Sequence, residues 1–229
     1  MIKGFLETSF IDWRGRVCAV LFMGGCNFRC PYCHNHPLVL ESGSFEDFSL
    51  PIILTRLESL KKWLGGVCVS GGEPTLNPNL PGLLMELKQK GWAVKVDTNG
   101  SKPEMIAQLL EQGLVDSVSM DVKAPLDQEK YDRCAGTAVD LTAIKNSIEV
   151  IRESGIDHEF RMTVVPGYHT EKDVEQWISL FDSRSKLTLQ NFNPQTTLLP
   201  EISKNKGFSP DIFSAFQAML LKQIHRVAA

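Results

Sequence analysis

The 229-residue sequence lacks the features that mark membrane-spanning and secreted proteins. No apolar run reaches the roughly 18 residues that a transmembrane helix needs, so no membrane association is predicted. The opening residues, MIKGFLETSF, contain neither a long apolar core nor a small-residue cleavage site. They are therefore interpreted as mature protein rather than a signal peptide, and we predict a cytoplasmic location.

The sequence also lacks a long basic run. Its formal charge is -3, from 24 lysine and arginine residues against 27 aspartate and glutamate residues. Domains that bind nucleic acids normally carry a basic patch, so no nucleic-acid partner is predicted. The hydrophobic content of 43% and charged content of 22% are ordinary for a soluble globular protein.

A fourth cysteine is missing from the single cysteine cluster. Residues 26–33 read CNFRCPYC, with cysteines spaced by four and then three positions. In a long chain without an export signal, clustered cysteines indicate metal or redox chemistry rather than disulfides. Cys18 and Cys68 lie in apolar runs and are interpreted as small buried hydrophobic residues.

Two kinds of metal site fit this spacing. A [4Fe–4S] cluster bound by Cys26, Cys30 and Cys33 would leave one iron with an open coordination position, as catalytic metal sites do. A structural zinc site would instead complete a Cys3His set with His34 or His36. The spacing alone leaves both open.

Apolar segments alternate with amphipathic segments along the chain, and the last amphipathic segment covers residues 209–226. Strands are predicted at residues 17–23, 66–71, 92–99, 117–123, 158–166 and 186–192. Strand and helix in repeated alternation indicate parallel strands with right-handed crossovers. Six units fall short of the eight of a full barrel, so we predict an α/β fold, a partial (β/α)6 TIM-like barrel. We predict one domain over residues 1–229, with a core of about 15–200.

Polar residues recur where the predicted strands end. The stretches concerned are SGGEPTL (70–76), VDTNG (96–100), MDVKAP (120–125) and FRMTVVPG (160–167). The carboxyl ends of barrel strands share one rim, where active sites are built. Glu73, Asp97, Asp121 and Lys123 are predicted to meet there, whereas Arg161 lies earlier in its strand. Each could also be an ordinary turn or interior residue.

Together these motifs resemble the radical S-adenosylmethionine (SAM) superfamily. Its signature is Cys-x3-Cys-x2-Cys with an aromatic residue, here Tyr32, before the last cysteine. GGCNFRCPYCHN, SGGEPTL, DTNG, MDVKAP and RMTVVPG follow in the order seen in activating enzymes of glycyl radical enzymes. TSFIDWRGRVCAVLFMGGCNFRCPYCHN and LQNFNPQTTLL are similar to the anaerobic ribonucleoside-triphosphate reductase activating proteins. The resemblance extends to about residue 200.

The resemblance implies that three thiolates hold a [4Fe–4S] cluster whose open iron binds the amino and carboxylate groups of SAM. One electron then cleaves SAM to methionine and a 5′-deoxyadenosyl radical, which abstracts hydrogen. The implied cluster ligands are Cys26, Cys30 and Cys33. The implied SAM contacts are Tyr32 near the adenine, Gly71, Gly72 and Glu73 near the amino group, Asp97 near the ribose, Asp121 and Lys123 near the ribose and methionine portions, and Arg161 near the carboxylate. For Arg161 a structural ion pair stays open. No residue is assigned as catalytic, because the cofactors carry the chemistry.

The resemblance also implies partners. A glycyl radical enzyme would be the protein substrate, and a flavodoxin- or ferredoxin-type protein would donate electrons. In pyruvate formate-lyase activases, acids at the positions of Asp97 and Asp121 surround a monovalent cation. Those activases also carry a histidine on the last strand, where this sequence has Asn191 and Asn193. The alternative is a radical SAM enzyme that acts on a small molecule, such as a nucleobase or a pterin-like precursor.

Overall fold

Seven strands form one sheet in the computed structural model, which describes residues 1–226 and the side chains through residue 222. The strands are β1 (Ile2–Ser9), β2 (Cys18–Met23), β3 (Gly66–Gly71), β4 (Val94–Thr98), β5 (Ser117–Asp121), β6 (Asp157–Val164) and β7 (Lys186–Asn191). They lie in sequence order, and β1 and β7 are the two edges of an open sheet. From β2 to β7 every neighbouring pair is parallel. The predicted six-stranded parallel arrangement is confirmed.

Eight helices connect or follow the strands in the described part of the chain. They are α1 (His36–Leu40), α2 (Leu50–Ser59), α3 (Leu80–Gln89), α4 (Pro103–Glu111), α5 (Gln128–Ala135), α6 (Leu141–Glu153), α7 (Glu171–Ile178) and α8 (Pro210–Arg226). The Asp140 side chain accepts hydrogen bonds from the Thr142 and Ala143 amides and caps α6. No helix within residues 1–226 is long and apolar enough to cross a membrane.

The sequence pattern missed β1 and three short helices. β1 pairs antiparallel with β2 and is mostly exposed or half-buried, so it shows neither an apolar run nor a clean alternation. Helices α5 and α7 have eight residues each and are rich in charge, while α1 has only five. Residues 34–56, which lie between two predicted strands, contain α1 and the start of α2.

Alternation along the strands separates two cores. On β3, Val67 and Val69 belong to the large core beneath the helices, whereas Cys68 belongs to a small second core. On β4, Val94 and Val96 face the large core in the same way. Successive strand residues point to opposite faces of a sheet, so the remaining residues of these strands face the barrel interior.

The second core closes the amino-terminal end of the barrel interior. Its buried members are Trp13, Cys18, Val20 and Cys68. Trp13 comes from the loop between β1 and β2 and lies against Gly66, the first residue of β3, where a Cβ atom would be 2.6 Å from its ring. This end of the barrel interior is therefore filled by apolar side chains.

Candidate functional site

A cavity of about 540 Å³ lies at the carboxyl ends of the parallel strands. All eleven residues predicted from the sequence line it. These are Cys26, Cys30, Tyr32, Cys33, Gly71, Gly72, Glu73, Asp97, Asp121, Lys123 and Arg161. They come from five consecutive strands and the loops that follow them, so only the folded sheet brings them together.

The three clustered cysteines lie on the segment from residue 24 to residue 33, here named the cluster loop, which follows β2. Backbone hydrogen bonds fix this loop to three separate parts of the chain. The Gly25 amide donates to the Leu38 carbonyl at 2.8 Å, and the Arg29 amide donates to the Ala135 carbonyl at 2.8 Å. The Gly25 carbonyl accepts from the Glu73 amide, also at 2.8 Å. These contacts hold the backbone of the cluster loop in place.

The burial and the pKa values of the cluster-loop thiols are consistent with binding to a cationic metal centre. All six cysteines of the chain are free, and Cys30 is buried while Cys26 and Cys33 are half-buried. Burial raises the pKa of Cys26 to about 11 and that of Cys30 to about 12. A bound metal reverses this effect, because it takes thiols as thiolates. Three soft sulfur donors facing one cavity match an iron–sulfur cluster.

The zinc alternative is not supported. Within residues 1–226, no three cysteine, histidine, aspartate or glutamate side chains are grouped so that they could hold a metal ion. The Nε2 atom of His34 lies 2.8 Å from the Asn193 carbonyl oxygen, and His36 is the first residue of α1. In a cubane each thiolate binds a different iron, so its sulfurs need not converge on one point.

Gly71 and Gly72 allow the end of β3 to contact the cluster loop directly. Gly71 has a φ angle of 109°, and a Cβ atom there would lie 2.5 Å from the Met23 nitrogen. A Cβ atom on Gly72 would overlap the Gly25 carbonyl oxygen. Only glycine permits both the positive φ and this approach of two backbones. The pair thus has a structural role in addition to lining the cavity.

The Glu73 carboxylate joins β3 to the end of β4. It is only 2% exposed. Oε1 accepts hydrogen bonds from the Thr75 amide at 3.1 Å, the Thr75 hydroxyl at 2.5 Å and the Thr98 hydroxyl at 2.7 Å. Oε2 accepts one hydrogen bond, from the Asn99 amide at 2.6 Å. Because Oε1 is saturated, Oε2 is the oxygen that has capacity for a ligand N–H group.

Two aspartates and their cationic partners form an ion network across β4, β5 and β6. Arg161 Nε lies 2.8 Å from Asp121 Oδ1, and Arg161 Nη2 lies 3.4 Å from Asp97 Oδ2. Lys123 Nζ lies 3.1 Å from Asp121 Oδ2. The ion-pair interpretation of Arg161 is therefore observed, and its guanidinium also faces the cavity.

The network favours the charged forms of Asp121 and Lys123. Burial opposes ionisation of Asp121, but Arg161 and Lys123 outweigh it and hold the pKa of this carboxyl well below its usual range. Burial likewise works against the Lys123 ammonium, yet Asp121 raises its pKa. The charged forms dominate near neutral pH, so the cavity wall presents fixed charges rather than proton donors that titrate.

Tyr32 and His169 pack behind the cluster loop. The Tyr32 ring makes edge-on contacts with the rings of Tyr168 and His169, with centroids 6.0 and 6.5 Å apart. His169 Nδ1 accepts from the Val165 amide at 3.0 Å, which leaves Nε2 to donate to the Lys123 carbonyl at 2.9 Å. Within the described residues the buried Tyr32 hydroxyl makes no hydrogen bond of normal geometry. Burial raises the pKa of the nearby Cys134 thiol to about 11, and the Tyr32 hydroxyl offsets this only in part.

Sequence reasoning missed three residues that shape the site. Lys95 donates to Asp97 from inside the barrel, and Asn99 lies between Glu73 and Cys26, with its Nδ2 atom 3.7 Å from the Cys26 sulfur. His169 supports Lys123. The position of Lys95 two residues before Asp97 in a predicted strand was the available signal, since such residues share a face. No comparable signal marks His169.

Comparison with known proteins shows which family the chain resembles. The model of the radical SAM superfamily matches residues 20–181. A protein of Methanocaldococcus jannaschii, provisionally named a glycyl-radical enzyme activating enzyme, is 32% identical over 89% of this chain and 85% of its own length. A pyruvate formate-lyase-activating enzyme of Staphylococcus aureus is 30% identical over 76% of this chain and 73% of its own length.

Two further similarities are more distant or cover less of the chain. A 7-carboxy-7-deazaguanine synthase of Methanopyrus kandleri is 32% identical over 52% of this chain and 53% of its own length. The structure of Streptococcus suis SuiB bound to S-adenosylmethionine matches with a TM-score of 0.66 at 14% identity, over 90% of this chain and 49% of SuiB. At that identity the structural match establishes the fold alone.

Proposed function

Since the chain belongs to the radical SAM superfamily and is a radical SAM enzyme, we propose that its substrate is a glycine residue of a glycyl radical enzyme. The observation that carries the proposal is the similarity to the M. jannaschii protein, which extends over most of both chains. The similarity to the S. aureus activating enzyme points to the same reaction class. An enzyme of the anaerobic ribonucleotide reductase type is the partner that the sequence motifs favour.

The chain's own residues would hold two cofactors. Cys26, Cys30 and Cys33 would bind the [4Fe–4S] cluster, while Tyr32, the Gly71–Glu73 turn and the ion network would contact SAM. When bound, the cluster supplies one electron that cleaves SAM to methionine and a 5′-deoxyadenosyl radical. Near neutral pH, Lys123 and Arg161 would keep their charges throughout. The protein would then orient its ligands without donating protons.

A macromolecular substrate is consistent with the shape of the site. The cavity lies at the open end of an open sheet, so a peptide loop can approach it from solvent. SuiB, which shares the fold, has been observed bound to a precursor peptide. We propose that a glycine-containing loop of the partner enters this opening and that a flavodoxin- or ferredoxin-type protein supplies the electron.

The test combines two measurements on anaerobically reconstituted protein. With SAM, a reductant and an anaerobic ribonucleotide reductase, EPR should detect a glycyl radical, and 5′-deoxyadenosine should accumulate with it. Cys30→Ser should abolish both signals, whereas Cys18→Ala, at a buried cysteine outside the cluster loop, should retain them. A silent EPR spectrum with every glycyl radical enzyme supplied would contradict the proposal.

A second candidate is a small-molecule reaction. The similarity to the 7-carboxy-7-deazaguanine synthase favours it, although this match covers only about half of each chain. SAM cleavage that is accelerated by a pterin or a nucleobase, in the absence of any partner protein, would favour this candidate. Acceleration only by a glycyl radical enzyme would exclude it.

A further inference from the structure

Lys95 is a buried cation inside the barrel that none of the expected site roles uses. Its side chain is 4% exposed. The Nζ atom donates to Asp97 Oδ1 at 2.5 Å and to the Asp12 carbonyl at 2.7 Å, and it lies 3.9 Å from the Cys68 sulfur. The ammonium group thus lies between the second core and the ion network.

With Lys95 included, every carboxylate oxygen of the ion network has a donor. Asp97 Oδ1 faces the Lys95 ammonium, and Asp97 Oδ2 accepts from the Ser70 hydroxyl at 3.2 Å, with Arg161 at 3.4 Å. The two oxygens of Asp121 face Arg161 and Lys123. A metal cation at this place would have to share each oxygen with a donor that already faces it, and most of these donors carry a positive charge.

The charges lead to the same conclusion. Two carboxylates, Asp97 and Asp121, carry two negative charges. Lys95, Arg161 and Lys123 carry three positive charges within hydrogen-bonding or ion-pairing distance of them. Within these five side chains the charges sum to +1, so their combined field opposes the entry of a further cation. The residues therefore do not fit the monovalent cation that the sequence resemblance implied.

We propose that the Lys95 ammonium group beside Asp97, together with the Arg161 guanidinium that pairs with both Asp97 and Asp121, takes the place of a monovalent cation, so that this protein assembles its site without K⁺ or Na⁺. An ammonium carries the same single charge and donates to the oxygens that such an ion would accept as ligands. Because Lys95 is a residue of β4, its ammonium group cannot dissociate from the site as a free ion can. Burial alone would lower the pKa of Lys95, but Asp97 outweighs this effect and raises the pKa, so the side chain stays charged. The inference does not depend on which substrate the radical attacks.

The test compares wild-type protein with Lys95→Met, both as anaerobically reconstituted full-length chains. Melting temperature is measured in KCl, NaCl and choline chloride at equal ionic strength, and sodium NMR line widths report Na⁺ binding and its displacement by K⁺. Lys186→Met is the matched control, since Lys186 pairs with Asp157 at an exposed position. Neither readout requires SAM cleavage.

Wild-type protein and Lys186→Met should change melting temperature by less than about 1 °C between KCl and choline chloride, with no saturable sodium broadening. Lys95→Met leaves Asp97 without its nearest cation, so K⁺ should raise its melting temperature by about 2–4 °C in a saturable way. Its sodium signal should broaden and recover when K⁺ is added.

Two results would overturn the proposal. The first is saturable Na⁺ or K⁺ binding by the wild-type protein, a measurement that no folding defect of a variant can obscure. The second is a folded Lys95→Met protein with no cation dependence, because Lys95 would then be a structural residue only. If Lys95→Met fails to fold, Lys95→Gln, which retains a donor but not the charge, provides the second comparison.

Discussion

At the scale of single residues, Glu73 shows how one carboxylate can stabilise a site that it also lines. Its two oxygens accept four hydrogen bonds from three residues on two strand ends. Burial still raises the pKa of this carboxyl, because the hydrogen bonds only partly offset desolvation. The side chain is therefore held in place before any ligand arrives, and a ligand N–H group would find Oε2 already oriented.

Glu73→Gln tests this structural role. An amide cannot accept all four hydrogen bonds, because its nitrogen would face an N–H or hydroxyl donor. We expect the free energy of unfolding to fall by about 1–3 kcal/mol, as measured by urea titration. Glu86→Gln, an exposed glutamate on α3, should change it by less than about 0.5 kcal/mol. Equal effects of the two substitutions would show that the Glu73 hydrogen bonds do not stabilise the fold.

His169 should make stability depend on pH. Its ring is 3% exposed, and burial lowers its pKa below the usual value of 6.5. Nδ1 accepts a hydrogen bond from the Val165 amide. Protonation of Nδ1 would therefore place its N–H group against the Val165 N–H group. Because the pKa is lower in the folded chain, the unfolded chain takes up the proton at a higher pH than the folded chain does as the pH falls. The stability contributed by neutral His169 is therefore present above pH 6.5 and falls as the pH drops below it.

The measurement compares urea midpoints at about pH 7.5 and about pH 5.5. Wild-type protein should lose stability between the two values, and His169→Gln should lose less of it. The amide can replace one hydrogen bond of the ring but cannot be protonated in this range. An identical loss in both proteins would assign the pH dependence to other groups.

At the scale of elements, the contact between the end of β3 and the cluster loop determines where the thiols lie. The Gly72 amide donates to the Met23 carbonyl and the Glu73 amide to the Gly25 carbonyl, both at 2.8 Å. These bonds continue the pairing of β2 with β3, which is in register up to Met23 opposite Gly71. The cluster loop is thus an extension of the sheet rather than an independent loop.

Gly72→Ala should disturb this contact. The added Cβ would overlap the Gly25 carbonyl oxygen, and both atoms belong to backbones that cannot move without breaking hydrogen bonds. We expect a lower melting temperature and less iron–sulfur absorbance after anaerobic reconstitution. Gly82→Ala is the control: Gly82 lies on α3 with open space around it, so alanine should stabilise by up to about 1 kcal/mol. Normal cluster loading in Gly72→Ala would contradict the interpretation.

At the scale of the whole molecule, the open sheet needs a closure at one end to create a cavity at the other. Trp13 provides it, from a loop that precedes all of the parallel strands. Above it come the Lys95 ammonium, the ion network and then the cavity. Along the barrel axis the apolar second core is followed by the charged groups and then by the cavity. The charged groups are therefore separated from the apolar end and can be reached from the cavity.

Trp13→Ala should be among the most destabilising substitutions in the chain. The indole is 4% exposed, and its removal leaves a cavity that the surrounding strands cannot fill. We expect a loss of about 3–5 kcal/mol in the free energy of unfolding, measured by circular dichroism in urea. Trp63→Ala removes the same side chain where it is 79% exposed and should cost about 0.5 kcal/mol or less. Similar losses would mean that Trp13 is not a structural closure.

Much of the fold could be predicted because buried parallel strands have a strong local pattern. All six predicted strands exist, and β3 has the predicted bounds. β1 could not be predicted in this way, because an exposed edge strand has no distinctive pattern. The helices α5 and α7 were missed for a related reason, since short charged helices resemble loops until their few apolar residues find a core.

The sequence by itself determined the parallel α/β architecture, the three thiols and the polar residues at the strand ends, because these depend on spacing and on alternation within each segment. Only the tertiary structure decided how those residues meet. It engaged the Glu73 carboxylate in four hydrogen bonds, paired Arg161 with two aspartates and placed Lys95 beside Asp97. Hydrogen bonds and ion pairs between distant segments depend on sheet register and on burial, and neither quantity is encoded in any short stretch of the chain.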